Sequence, residues 1–214
     1  MRKIIRTLMH FGTVLGILGL LVLPAAAADF DFQGNFIFDN DVVRFNFSVN
    51  APSTVTIFSS SWLTGDPPQG FHPMLGIWDG AGNSIDFVSF GFEGIDFSNG
   101  VPYSHGDRDS YWTAPLNPGN YIATLTQYNN FPLGNLSQGF ELASYPNFTF
   151  LQGFGGATQP YFNGDWDDND PRTSFWQFHF LNVTQASVVP LPGTLILLSS
   201  GLIALLGLRR KKLN

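Results

Sequence analysis

The stretch Val43–Val49 (VRFNFSV) alternates apolar and polar side chains at every position. Alternation with a period of two is typical of a β-strand that has one face in the core and the other toward solvent. Similar short alternating stretches lie at residues 30–32, 55–57, 75–77, 88–92, 121–125 and 176–180. Seven or eight such strands, with turns between them, predict an all-β fold, a jelly-roll-like β-sandwich.

Turn-forming residues separate the predicted strands. Residues 79–83 (DGAGN) are expected to reverse the chain, and residues 117–120 (NPGN) to lead into a strand at Tyr121 that is covered on both faces. The aspartates in residues 39–41 are also expected to serve a turn, with a ligand role as the alternative, and those in residues 107–109 to serve a turn or a local ion pair with Arg108. Residues 129–172 are irregular, which predicts a long loop with an occasional strand such as 147–151.

The N-terminal end has the composition of a secretory signal. A basic start with Arg2, Lys3 and Arg6 precedes an apolar stretch at residues 11–23 and three alanines before Asp29. This order predicts a signal peptide at residues 1–28 that signal peptidase removes, with a retained membrane anchor as the alternative. The predicted domain is then residues 29–187.

The C-terminal end, residues 188–214, reads as a membrane tail. Residues 193–208 carry no charge and are followed by four cations, Arg209, Arg210, Lys211 and Lys212. Sixteen helical residues reach about 24 Å, so together with residues 188–192 they are long enough for a transmembrane helix. The cations are expected to stop on the cytoplasmic side. A buried C-terminal helix is the alternative.

The predicted domain is strongly acidic. Residues 29–187 hold sixteen acidic side chains but only three basic ones, Arg44, Arg108 and Arg172, a formal net charge of −13 against −6 for the whole chain. Such a surface repels nucleic acid and anionic lipid head groups, so nucleic acid is not an expected partner. The chain has no cysteine, which excludes disulfides and thiolate chemistry.

The tail resembles the PEP-CTERM sorting signal of Gram-negative bacteria that export polysaccharide. The stretch Val189-Pro190-Leu191-Pro192-Gly193 stands where that signal has its Pro-x-Pro motif, with Leu191 in place of the commoner Glu. The resemblance implies that an exosortase cleaves near the motif and releases the protein from an inner-membrane intermediate to the cell surface or beyond. A Leu-Pro-x-Thr-Gly sortase signal is the alternative, and Leu195 departs from its final glycine.

The domain resembles an uncharacterised exported family that often precedes such tails. The resemblance covers most of residues 30–182 and includes the motifs Phe32-x-Gly34-Asn35-Phe36, Phe71-His72-Pro73 and Trp78-Asp79-x-x-Gly82-Asn83. Bacterial pre-peptidase C-terminal domains, which are β-sandwiches appended to secreted enzymes, share part of this pattern. The resemblance implies a β-sandwich and assigns no molecular activity.

Residues 165–170 (DWDDND) form the densest acidic stretch. Oxygen ligands at Asp165, Asp167 and Asn169 have the alternate spacing of a calcium loop. An EF-hand would continue with glycine at position 170 and glutamate at position 176, where this chain has Asp170 and Trp176. A calcium site of another kind and a solvated acidic loop both stay open.

Two tryptophans in predicted loops, Trp62 and Trp166, are candidates for stacking on sugar rings. Signs of catalysis are weak. Glu93 or Glu141 would need an aspartate partner to act as a glycosidase pair. The chain also lacks a Gly-x-Ser-x-Gly elbow, and its histidines share no metal-ligand spacing.

The sequence therefore predicts an exported, non-catalytic protein of the cell surface or extracellular matrix, processed by signal peptidase and an exosortase and associated with exopolysaccharide. A calcium-stabilised glycan-binding module and a glycan-active enzyme are the two alternatives.

Overall fold

The computed structural model describes residues 26–63, 69–152, 159–163 and 172–189. Eleven strands lie in these residues: β1 (Ala28–Asn35), β2 (Val43–Val49), β3 (Ser53–Ser59), β4 (Pro73–Asp79), β5 (Ser84–Val88), β6 (Gly94–Ser98), β7 (Val101–His105), β8 (Tyr111–Leu116), β9 (Gly119–Gln127), β10 (Phe175–Val183) and β11 (Gln185–Val188). A 3₁₀ turn at Leu136–Gln138 and a short helix α1 at Phe148–Gln152 complete the described elements.

The strands form two antiparallel sheets and a separate hairpin. Sheet I has the order β1-β10-β3-β8, sheet II has the order β11-β2-β9-β4-β5, and β6 pairs with β7. The pairing is nested along the chain, because β1 pairs with β10, β2 with β9, β3 with β8 and β4 with β5. The described residues therefore confirm the all-β prediction.

The two sheets share one hydrophobic core. Each alternating strand contributes its apolar face, as in one row across sheet I that consists of Phe30, Phe180, Ile57 and Trp112. Phe45 of sheet II meets this face, with its ring centroid 5.2 Å from that of Phe178, and both rings are fully buried. Burial of one such side chain contributes roughly 1.5–3 kcal/mol, so this shared layer holds the sheets face to face.

One predicted strand lies earlier than expected. The alternation at residues 88–92 predicts a strand there, but β5 ends at Val88. The reversal before it is tight, because the Asp79 carboxylate accepts hydrogen bonds from the backbone N–H of Ala81 and Asn83, each 2.9 Å long. The turn predicted at residues 79–83 is thus confirmed, and it returns the chain to the sheet by Ser84.

The predicted strand at residues 147–151 is wrong, since helix α1 occupies that stretch. Its first turn is fixed from outside, because the Asp39 carboxylate accepts hydrogen bonds from the backbone N–H and the hydroxyl of Thr149 at 3.0 and 2.7 Å. A helix leaves its first N–H groups without internal partners, and a buried carboxylate satisfies one of them here. Local propensity did not indicate this long-range contact.

The hairpin β6–β7 covers part of the outer face of sheet I. Its two-residue turn is Asn99-Gly100, with φ of 50° and 77°, as a type I′ turn requires. The Asn99 side-chain amide donates to the Asp31 carboxylate at 2.9 Å, which fastens the tip of the hairpin to β1. Beneath it, the rings of Tyr103 and His179 lie 4.0 Å apart, so sheet I carries a second, smaller core on its outer side.

Candidate functional site

The outer face of sheet II carries an open groove across β11, β2 and β9. Its side chains form two rows across these strands, Ser187, Asn46 and Ile122 in the first row and Gln185, Ser48 and Asn120 in the second. The groove has a volume of about 310 Å³. That size lies at the lower end of the range for small-ligand sites, about 300–1,000 Å³.

The groove is polar but uncharged. Five of its six outward side chains are amides or hydroxyls, and the sixth is Ile122. The side-chain amides of Asn46, Asn120 and Gln185 make no hydrogen bond within the described part of the chain. Each amide offers both donors and an acceptor, which is also the character of a sugar hydroxyl. The arrangement suits a neutral ligand rich in hydroxyl groups.

The loop that contains Gly134 and Phe140 covers the other half of the outer face of sheet II. The first row continues from Ile122 to Trp78 of β4, which is fully buried. The Trp78 indole N–H donates to the carbonyl of Gly134 at 3.1 Å, and its ring lies 6.3 Å from that of Phe140. Gly76 is needed beside it, since a Cβ there would lie 2.0 Å from the Trp78 ring. The groove is therefore what the loop leaves uncovered.

Trp62 does not present an open ring. The side chain is 8% exposed, and the guanidinium carbon of Arg172 lies 3.5 Å from the ring centroid. Arg172 also donates to the carbonyl of Trp62 at 3.0 Å, and Arg108 lies 5.1 Å from the same ring. Arginine held over an indole is a favourable cation–π contact. The prediction of sugar stacking assumed an exposed ring, and the burial of Trp62 removes that basis.

Several predicted site residues lie outside the described residues: Trp166, Asp165, Asp167, Asn169, Pro190, Leu191, Pro192, Gly193, Arg209, Arg210, Lys211 and Lys212. Val189 is described, and its N–H donates to the carbonyl of Arg44 at 2.8 Å. The part of the chain that the structure describes contains no group of three or more His, Asp or Glu side chains placed to hold a metal ion. No helix in that part is long and apolar enough to cross a membrane.

Two predicted turn aspartates are buried and organise their loops. Asp39 accepts the bonds from Thr149 described above. Asp109 accepts hydrogen bonds from the Ser59 hydroxyl at 2.7 Å and from the backbone N–H groups of Gly106 and Trp62 at 2.9 and 3.2 Å. Burial raises the pKa of Asp39 and of Asp109 above the usual range of a carboxyl group. Asp109 thus anchors its own turn, as predicted, whereas Asp39 holds helix α1 from a distant part of the chain.

The covered face of sheet I contains a hydrogen-bonded chain of three side chains. Asp31 Oδ1 lies 2.7 Å from His179 Nδ1, and His179 Nε2 lies 2.8 Å from Ser60 Oγ. His179 is fully buried and stacks on Phe58 at 4.5 Å. The order carboxylate, imidazole and hydroxyl is that of a catalytic triad, but Ser60 is only 1% exposed.

A second buried histidine lies beside the first. His105 Nε2 lies 3.1 Å from Asp96 Oδ2, and its Nδ1 lies 2.7 Å from the carbonyl oxygen of Phe92. Both histidines therefore have a carboxylate at one ring nitrogen. The cluster joins the hairpin to sheet I through polar contacts as well as ring contacts.

Burial and hydrogen bonding set the charges in this cluster. Burial lowers the pKa of His179, ahead of the opposing effect of Asp31. Partial burial works to raise the pKa of Asp31, but hydrogen bonds from His179 and Asn99 outweigh it and leave that pKa below its usual value. At neutral pH the pair is thus a neutral imidazole beside an ionised carboxylate, with the imidazole proton on Nδ1 facing Asp31.

The sequence did not indicate the groove of sheet II or the pair of Asp31 and His179, because both depend on contacts between distant parts of the chain. Asn46 and Ser48 were recognisable as outward positions of an alternating strand, yet their neighbours Gln185 and Asn120 depend on strand pairing. Asp31 and His179 are 148 positions apart, and no local motif links them. Glu93 and Glu141, the carboxylates considered for a glycosidase, are both exposed.

A scan of the chain against protein-family models found no match, and neither did a search of curated proteins.

Proposed function

We propose that this chain is an exported, non-catalytic protein of the cell surface or extracellular matrix whose β-sandwich binds a neutral exopolysaccharide in the groove of sheet II. One observation carries the proposal: the two rows of uncharged amide and hydroxyl side chains that line the groove, with amides that have no partner in the described part of the chain. Such side chains match the hydroxyl groups of a sugar chain. The formal charge of −13 on residues 29–187 favours neutral over acidic polymers.

A binding experiment tests the groove. The full chain is passed over immobilised neutral glucans, galactans and mannans and over a polymer of uronic acids. We expect retention on at least one neutral polymer and none on the acidic one. Replacing Asn46 and Asn120 together by alanine removes two sets of hydrogen bonds, each contributing about 0.5–1.5 kcal/mol, and should weaken retention about tenfold.

A matched control exists in a second depression. Asn117 is an exposed amide that lines a separate depression of about 440 Å³ with Pro52 and Thr54. Asn117→Ala should leave retention unchanged. Absence of retention on every neutral polymer, or an equal loss in the Asn117→Ala variant, would contradict a role for the groove.

Export is the second part of the proposal. Its support is the composition of the two ends, a signal-like N-terminus and a tail that resembles the PEP-CTERM signal. Under this proposal the surface form begins near Asp29 and lacks residues 195–214 after exosortase cleavage. Intact-mass measurement of the surface or secreted protein tests this, and a mature chain that keeps Arg209 and Lys212 would overturn it.

Within the sandwich class we propose the jelly roll. Its support is the nested pairing of eight strands into two four-stranded sets, β1-β10-β3-β8 and β2-β9-β4-β5. Two interlocked Greek keys produce this order. Strand β11 and the hairpin β6–β7 are then additions to the eight-stranded core.

A further inference from the structure

Ser60 faces Gln177 across two neighbouring strands. The backbone N–H of Ser60 donates to the carbonyl of Gln177 at 3.1 Å, which continues the pairing of β3 with β10. Directly opposite residues send their side chains to the same face of a sheet. Accordingly, the Ser60 hydroxyl donates to Gln177 Oε1 at 3.1 Å, so it lies beside the carboxamide group.

The same hydroxyl has a base beside it. His179 Nε2 lies 2.8 Å from Ser60 Oγ, and Asp31 holds the opposite ring nitrogen at 2.7 Å. This carboxylate keeps the proton on Nδ1, so His179 Nε2 can accept the serine proton when the Ser60 hydroxyl rotates from Gln177 Oε1 toward it. Since burial lowers the pKa of His179, the imidazole is neutral and competent as a base at pH 7.

An external substrate has poor access to this hydroxyl, because Ser60 is 1% exposed and His179 is fully buried. The carbonyl group that the structure does place against Ser60 Oγ belongs to Gln177. We propose that Ser60 and Gln177 react with each other to form an intramolecular ester bond, with release of ammonia.

The step balances without a cofactor. Ser60 Oγ attacks Gln177 Cδ while His179 takes the serine proton, and a tetrahedral carbon forms. The Cδ–Nε2 bond of Gln177 then breaks, and His179 returns the proton to the departing nitrogen, which leaves as ammonia. An amide and an alcohol become an ester and ammonia, with no change of oxidation state. Burial of the site shields the ester from hydrolysis.

The product would join β3 to β10 covalently, between residues 117 positions apart. In a chain without cysteine this bond has the role of a disulfide, because it restricts the unfolded chain and closes a long loop. His179 and Asp31 act once per molecule in this chemistry and turn over no external substrate. The proposal does not depend on the groove of sheet II.

Trypsin gives a direct test on the wild-type full chain. Arg44, Arg108 and Arg172 are the only cleavage sites in residues 29–187, so Ser60 falls in the peptide 45–108 and Gln177 in the peptide that begins at Thr173. After denaturation and digestion we expect the two peptides as one species, lighter than their sum by one ammonia, about 17 Da. Hydroxylamine should separate them and leave a hydroxamate at Gln177.

Variants identify the groups that react. Ser60→Ala and His179→Gln should abolish the linked species, whereas Ser60→Thr keeps a hydroxyl and should still form it. Asp31→Asn should lower the linked fraction rather than remove it, because Asp31 only positions His179. The matched control is Ser61→Ala, which removes a neighbouring buried hydroxyl and should leave the linked fraction unchanged.

Two separate peptides in the digest would overturn the proposal. If the folded wild-type protein yields the two peptides separately, with Gln177 intact or merely hydrolysed to glutamate, the ester does not form. Loss of the link in Ser61→Ala to the same extent as in Ser60→Ala would overturn the assignment of Ser60.

Discussion

The two outer faces of the sandwich have similar sequence patterns and different surroundings. On sheet I, one row of outward residues consists of Asp31, His179, Phe58 and Tyr111, and the hairpin β6–β7 covers it. On sheet II, the rows through Asn46 and Ser48 lie open. In the covered row His179 and Phe58 are fully buried, while Asn46 and Asn120 in the open rows are exposed.

The difference shows that alternation in a strand identifies a face but does not indicate whether that face meets water. An inserted hairpin turned the outer side of sheet I into a second core, in which polar groups must satisfy one another. The open half of sheet II has amides without partners in the described part of the chain, which leaves them to water or to a ligand.

Truncation of one outward residue on sheet I and of one on sheet II should lower the free energy of unfolding by very different amounts. Phe58→Ala empties a fully buried position between His105 and His179 and should lower the free energy of unfolding by about 3–5 kcal/mol. Ile122→Ala in the open groove should cost less than about 1 kcal/mol. Urea unfolding of both variants measures the difference, and similar costs would mean that the hairpin does not protect sheet I.

The attachment of the hairpin depends on Asn99. Asn99→Ala loses the side-chain hydrogen bond to Asp31 and leaves alanine at a positive φ that asparagine tolerates better, so we expect a loss of about 1–3 kcal/mol in unfolding free energy. Asn99→Gly keeps the turn geometry and loses only the amide, so its loss should be smaller. Amide hydrogen exchange in β6 and β7 should rise in the same order. A glycine variant as unstable as the alanine variant would show that the turn strain is unimportant.

The buried imidazole should make stability depend on pH. Since the pKa of His179 is lowered in the folded protein, the unfolded chain binds the proton first as pH falls below 6.5. The contribution of His179 to stability should therefore decline from pH 7 downward, with a slope of at most about 1.4 kcal/mol per pH unit, while the raised pKa values of Asp39 and Asp109 act in the opposite direction. His179→Gln should lose this part of the slope. Asp31 acts in a separate window below its usual pKa of 3.8, because its own pKa is lowered.

The smallest effect on stability is expected in the groove. Asn46→Ala and Asn120→Ala remove exposed side chains without internal partners and should change the unfolding free energy by no more than about 0.5 kcal/mol. Their effect should instead be on polysaccharide retention. A marked loss of stability in either variant would show that these amides support the fold rather than bind a ligand.

Parts of this molecule were predictable because their determinants are local. Val43–Val49 is a strand as its alternation predicts, and the turn at residues 79–83 follows from the short reach of the Asp79 side chain. The short helix at residues 148–152 was not predictable, since the carboxylate that fixes it comes from Asp39, 110 positions away.

The sites were less predictable than the strands. The outward position of Asn46 follows from the alternation, but its partners across the groove come from strands whose register depends on distant residues. Trp62 lies in a predicted loop where no strand pattern explains its packing, and the two arginines that cover its ring, Arg108 and Arg172, are distant from it in sequence. Spatial convergence of this kind has no short sequence signature.

The nested pairing of the strands sets an order of events for a chain that emerges with its N-terminus first. Strand β1 has its partner in β10, so the first strand to appear waits for residues 175–183 before it is paired. Among the four nested pairs, only the innermost, β4 with β5, can close soon after it is made. Long-range pairing of this kind slows folding. During that wait the apolar strand faces stay exposed, so the unpaired chain must avoid aggregation until residues 175–183 have been made.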